Sequence, residues 1–183
     1  FFFFKQKTAY EIKECDWSSD LCSSDLVLRQ QTDRQALRAA LAEGTIDALV
    51  SDHHPVQGDE KALPFAEAEP GATGLELLLS LALKWGAEDG LSPLQAVSAV
   101  THRPAEILRQ SHARVPAGAG RLQVGAEADL CLVQPDEVWQ LDPAQLHSQG
   151  RHTPFAFDCT GMSLPARVSA TMVAGAWVWP HRT

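Results

Sequence analysis

The chain reads as α/β, a part of a parallel (β/α)8 barrel of the TIM type followed by a small β region. Three observations predict this. An amphipathic helical segment turns through a glycine directly into an apolar run of strand length that ends in polar groups. A long irregular loop and two further helical segments follow. After about Gly118 the texture changes to short apolar or alternating segments broken by Gly, Pro and Asp.

Residues 1–26 stand apart from this pattern. Phe1-Phe2-Phe3-Phe4-Lys5-Gln6-Lys7-Thr8-Ala9-Tyr10, and the near-repeat of Asp16-Trp17-Ser18-Ser19-Asp20-Leu21-Cys22 in Cys22-Ser23-Ser24-Asp25-Leu26, have neither helical nor strand periodicity. They resemble translated sequencing-adapter read-through. A signal peptide is disfavoured, because the apolar stretch is too short, no cationic segment precedes it and acids follow at once. This leader is expected to be disordered and is set aside from the fold.

In the next segment, Thr32 or Asp33 can cap a helix running to about Glu43, with Leu37, Ala40 and Leu41 as its apolar stripe and Gly44 as its stop. Thr45-Ile46-Asp47-Ala48-Leu49-Val50-Ser51 then reads as a buried strand that delivers Asp52-His53-His54-Pro55 to a barrel rim. On a regular strand Asp52 and His54 share one face and His53 takes the other. A carboxylate and an imidazole so placed can bind a divalent metal or move protons. Read alone, the same four residues also fit a cap and a loop.

Residues 57–74 read as a long loop, a length usually associated with function. Leu75 to Trp85 is apolar nearly all round, as in a helix buried on both sides. Ser92 and Pro93 cap and start another helix, ending near Val100. Later strands are expected at 122–124, 129–133, 168–173 and 176–179, the last two joined by a tight turn at Ala174-Gly175. His102 stands at a helix start and is read as a capping or packing residue. His112, His147, His152 and His181 read as loop histidines, Glu67 and Glu69 as solvated loop acids, and Glu76 as a dipole partner of a helix start.

Composition narrows the function classes. The 183 residues are 45% hydrophobic and 21% charged, ordinary for a globular protein, with net charge -8 that falls only to -6 when the leader's three lysines and five acids are removed. That acidity argues against nucleic acid or an anionic membrane as partner. No run is long enough to span a bilayer. Cys131 and Cys159 have no paired-ligand spacing and read as reduced thiols of a cytoplasmic protein.

Motif order sharpens the reading. Leu28-Arg29, Asp33-Arg34-Gln35-Ala36-Leu37, Gly44-Thr45-Ile46-Asp47-Ala48, Ser51-Asp52-His53, Lys61, Pro64-Phe65 and Pro70-Gly71-Ala72-Thr73-Gly74-Leu75-Glu76 follow one another in an order that resembles the dihydroorotases, cyclic amidohydrolases of pyrimidine synthesis. Thr101-His102-Arg103-Pro104-Ala105, Gly120-Arg121-Leu122, Gly125-Ala126-Glu127-Ala128-Asp129-Leu130 and Thr153-Pro154-Phe155 resemble the rest of that family's C-terminal part. The resemblance implies the C-terminal portion of the amidohydrolase barrel over 27–117 and part of a small β-sandwich domain over 118–183.

The resemblance also implies roles. Asp52 takes the place of a ligand to zinc that is also the general acid/base, taking a proton from metal-bound water and passing it to the leaving amide nitrogen as dihydroorotate opens to N-carbamoyl-aspartate. Pro70 and Gly71 match loop positions whose backbone holds the substrate ring, and His54 stands near enough to substitute as a substrate donor. The family's His-x-His pair, carboxylated lysine and middle-strand histidines are not in this chain, so zinc is not expected to be retained and the chain alone is expected to be inactive. Active members carry a substrate-binding histidine four residues after the aspartate, where this chain has Val56. That departure, and the Phe65-Ala66-Glu67-Ala68-Glu69-Pro70 version of the loop, resemble dihydroorotase-like subunits without catalysis, some of which support assembly of aspartate carbamoyltransferase. An allantoinase or hydantoinase fits the Pro70 to Glu76 loop less well.

Overall fold

The structure, a computed structural model, describes residues 30–64, 67–111, 114–116, 118–156 and 161–179. The leader, Cys159, His112 and His181 lie outside them. The chain forms two compact units from interleaved segments: the first from the described residues of 1–46, 50–78 and 140–163, the second from those of 47–49, 79–139 and 164–183.

In the first unit, helix α1 spans Gln31–Glu43 and stops at Gly44, whose φ of 83° only glycine adopts freely. Its start lies earlier than the sequence predicts. Gln30 is the N-cap, and Asp33 is the third helical residue, its carboxylate accepting from the Gln30 amide at 3.2 Å. The long loop holds a short helix, α2 (Gly58–Lys61), which the sequence reading missed. A 3-10 turn over Leu75–Leu77 and another over Pro143–Gln145 complete the unit, the latter capped by Asp142 accepting from Ala144. Leu41, Val56, Ala72, Leu77, Leu141, Leu146 and Phe155 are its buried apolar groups among the described residues.

The expected strand at 45–51 is not a strand. The segment is irregular, and Leu49 donates its amide to the Ala99 carbonyl at 2.9 Å within the second unit. A ladder needs a neighbour, and no described strand runs beside this one, which leaves Val50 half exposed.

The second unit carries α3 (Leu78–Glu88), α4 (Pro93–Ser98), α5 (His102–Gln110) and a three-stranded sheet. Ser92 caps α4 as predicted, its hydroxyl accepting from the Gln95 amide while the Gln95 side chain accepts from the Ser92 amide, with Pro93 first in the helix. Helices α3 and α4 touch through small residues, for a Cβ on Gly86 would stand 2.6 Å from that of Ala96. The sheet runs β1 (Leu130–Gln140), β2 (Ser163–Val173), β3 (Ala176–Trp179), in that spatial order. β2 and β3 pair antiparallel with Val173 opposite Ala176, joined by Ala174 (φ 49°) and Gly175 (φ 79°), the two left-handed residues a type I′ turn requires.

Two strands exceed their expected lengths. β1 runs through Pro135, which lacks an amide and is tolerated because β1 is at the sheet edge. β2 runs through Pro165-Ala166, where Ala166 is left-handed (φ 65°) and its carbonyl accepts from the Ser80 hydroxyl and the Trp139 indole, both at 3.0 Å. The expected strand at 122–124 is absent. Leu122 and Val124 are 90% and 102% exposed, with nothing described to pair them.

Candidate functional site

Every predicted site residue lies in the first unit, between Val50 and Leu78. Asp52 is exposed, and its φ of 42° puts it in the left-handed region. Aspartate tolerates that conformation better than most side chains because its short polar group can bond locally. A left-handed residue breaks the regular alternation of faces, so the argument that put Asp52 and His54 on one face does not apply.

The segment after Asp52 is joined to the end of the loop. The His54 amide donates to the Ala72 carbonyl at 3.0 Å, as between neighbouring extended chains. Gly71 lies directly against it: with φ 135°, a Cβ there would meet the His54 carbonyl at 2.6 Å and Val56 Cγ2 at 2.9 Å. The structure therefore brings His54 together with Pro70-Gly71, the two segments the sequence marks for substrate. His54 itself is exposed, Pro70 half-buried and Gly71 buried.

Val56 is only 3% exposed. Its side chain meets Gly71, and Gly150 lies against its backbone, where a Cβ would stand 2.5 Å from the Val56 amide nitrogen. The position at which active dihydroorotases are expected to carry a polar donor is here a core position.

Sequence reasoning missed three contributors. His53 Nδ1 accepts from the amides of Gly74 and Leu75 at 3.2 and 3.3 Å, at the start of the helical stretch that continues into α3. Gly74 brings no side-chain cap of its own, and that shortage of an acceptor was the available signal. The Glu76 carboxylate accepts from the His147 and Ser148 amides, both at 2.9 Å, so it clamps a loop 71 and 72 residues away besides lying in a helix's first turn. Thr73, fully buried, donates its hydroxyl to the Gly150 carbonyl and its amide to the His152 carbonyl. No local pattern marks these long-range bonds.

Among the described residues, no three His, Cys, Asp or Glu side chains come close enough to hold a metal ion. Asp52 supplies one carboxylate, and the Nδ1 of the adjacent His53 is already engaged. The donor set therefore does not fit a metal centre by itself. Glu67 and Glu69 are exposed acids with no ion pair among the described contacts. His102 begins α5, with Gly120 packed so closely that a Cβ there would lie 2.9 Å from His102 Cα. No described helix is long and apolar enough to cross a membrane.

Comparison with known proteins gives this geometry a context. The model of the amidohydrolase family matches residues 6–178. The chain is 38% identical over 152 residues to the dihydroorotase of Citrifermentans bemidjiense, covering 83% of this chain and 33% of that protein. To the dihydroorotase-like protein of Pseudomonas aeruginosa it is 42% identical over 149 residues, covering 81% and 32%. The chain spans about a third of the length of the curated relatives it matches. Among solved structures, dihydropyrimidinase from Brevibacillus agri superposes with TM-score 0.77 at 20% identity, covering 94% of this chain and 36% of the other. L-hydantoinase from Arthrobacter aurescens superposes with TM-score 0.70 at 27% identity, covering 97% and 38%.

Proposed function

Because the chain belongs to the amidohydrolase family and resembles its dihydroorotases, we propose that it is the part of a dihydroorotate amidohydrolase that supplies the general acid/base and the substrate loop. The observation that carries this reading is the pairing of the Asp52–Val56 segment with Gly71 and Ala72: a loop of close backbone approach is tied to His54, two residues from the exposed Asp52. In the reversible opening of dihydroorotate to N-carbamoyl-aspartate, the Asp52 carboxylate would take the proton of the attacking water and return it to the leaving amide nitrogen. The backbone of Pro70 and Gly71 would orient the ring, and His54 would donate to the substrate carboxylate.

The family reaction uses zinc, and these residues do not complete a site for it. On this reading the remaining ligands come from the first and middle barrel strands of a longer cytoplasmic protein, in which the barrel portion at 27–117 and the β portion at 118–183 act; the match to about a third of the relatives' length supports it. The test is dihydroorotate hydrolysis by this chain alone and by the zinc-loaded longer protein. Turnover is expected only from the latter, and turnover by the chain alone, or by neither, refutes the proposal.

One observation favours a second reading. Val56 is enclosed by Gly71 and Gly150, so the ordinary substrate histidine is replaced by a core side chain. In that reading the longer protein is a non-catalytic dihydroorotase-like subunit that supports aspartate carbamoyltransferase. It predicts no zinc, no hydrolysis and co-elution with that partner on size-exclusion chromatography.

A further inference from the structure

We propose that His53 is the positioning residue of this site: its Nδ1 holds the end of the loop at Gly74-Leu75 against the Asp52 segment and so sets where Pro70 and Gly71 stand relative to the Asp52 carboxylate. The identity of Asp52 as the reacting group rests on the function proposed above, whereas the tie itself does not.

The first amides of a helical stretch have no partner within it, and an acceptor must come from elsewhere. Here the residue before the 3-10 turn is Gly74, which has no side chain to offer. His53 reaches across 21 and 22 residues of sequence to accept from both the Gly74 and Leu75 amides. An Nδ1 that accepts is unprotonated, which places the ring proton of a neutral imidazole on Nε2 as a donor.

Three contacts hold residues 52–54 to residues 71–75. One is the His54 amide to the Ala72 carbonyl, and one is the close seat of Gly71 on the His54 carbonyl. The first is made by backbone, and in the second the His54 ring also lies against Gly71, its Cδ2 3.1 Å from where a Cβ would stand. The third is, of these three, the one made by hydrogen bonds to a side chain, and it comes from the residue directly after the left-handed Asp52. His53 is therefore where a side chain sets the register of the two segments.

The experiment is amide hydrogen exchange on the full chain, read at Gly74 and Leu75, with Leu91, whose amide bonds to the Gly86 carbonyl in the second unit, as internal reference. His53→Ala is expected to speed exchange at Gly74 and Leu75 about tenfold, the effect of losing one hydrogen bond, while Leu91 is unchanged. His53→Asn, whose Oδ1 overlays Nδ1, is expected to restore protection to within about twofold, and His53→Gln, whose oxygen overlays Nε2, is not. Equal behaviour of the Asn and Gln variants, or wild-type exchange in the Ala variant, overturns the proposal. If the Ala variant does not fold, the Asn and Gln pair decides. In the zinc-loaded longer protein, His53→Gln is expected to raise KM for dihydroorotate about fivefold with little change in kcat, and an equal loss in both also overturns it. Should that protein hydrolyse no dihydroorotate at all, the proposed function fails and the exchange result still decides the role of His53.

Discussion

The two units hold their chains by different means. In the second, regular elements carry the structure: α4 opens on a complete capping box, β2 and β3 close through an I′ turn, and α3 meets α4 through Gly86 and Ala96. In the first, the described residues from Asp52 to Thr73 hold one short helix and are shaped by long-range bonds and close backbone seats. Regular elements distribute their energy over many equivalent bonds, whereas the site region concentrates it in a few contacts. A single substitution should therefore cost more in the first region than in the second.

The largest effect is expected at Gly71. A methyl there meets the His54 carbonyl and Val56 at a φ of 135°, so Gly71→Ala should destabilise by about 3 kcal/mol, measured as a lower urea midpoint. The matching change in the second unit, Gly86→Ala, drives one methyl into the methyl of Ala96 without a backbone penalty and should cost about 1–2 kcal/mol. Comparable losses at the two glycines would remove the contrast. Next, Glu76→Gln weakens two charge-assisted bonds to the 147–148 loop at an exposed position; about 1 kcal/mol is expected, with faster exchange at the His147 and Ser148 amides. The smallest effect is a gain. Ala174→Asn suits the left-handed turn position better and should stabilise by about 0.5 kcal/mol, measured as a higher urea midpoint.

What could be read from sequence follows the same division. Gly44, Ser92-Pro93 and Ala174-Gly175 were legible because each signal acts within a few residues of itself. Pro135 and Pro165 read as strand breaks, yet one is at a sheet edge and the other at a left-handed kink, facts decided by neighbours far along the chain. At the site, Asp52, His54, Pro70 and Gly71 could be nominated by motif. Their arrangement could not, since alternation assumes a regular strand and Asp52 breaks it. His53, Glu76 and Thr73 were missed for the same reason: their partners are 21 to 79 residues away.

The central claim is that Asp52 is presented as an exposed, chemically available carboxylate rather than as a structural cap. Asparagine fits the same left-handed backbone and removes only the acid. The most direct measurement is dihydroorotate hydrolysis by the zinc-loaded longer protein carrying Asp52→Asn, alongside its urea midpoint. The account predicts at least about a hundredfold loss of kcat with the midpoint unchanged. Retained turnover, or a loss matched by unfolding, would contradict it.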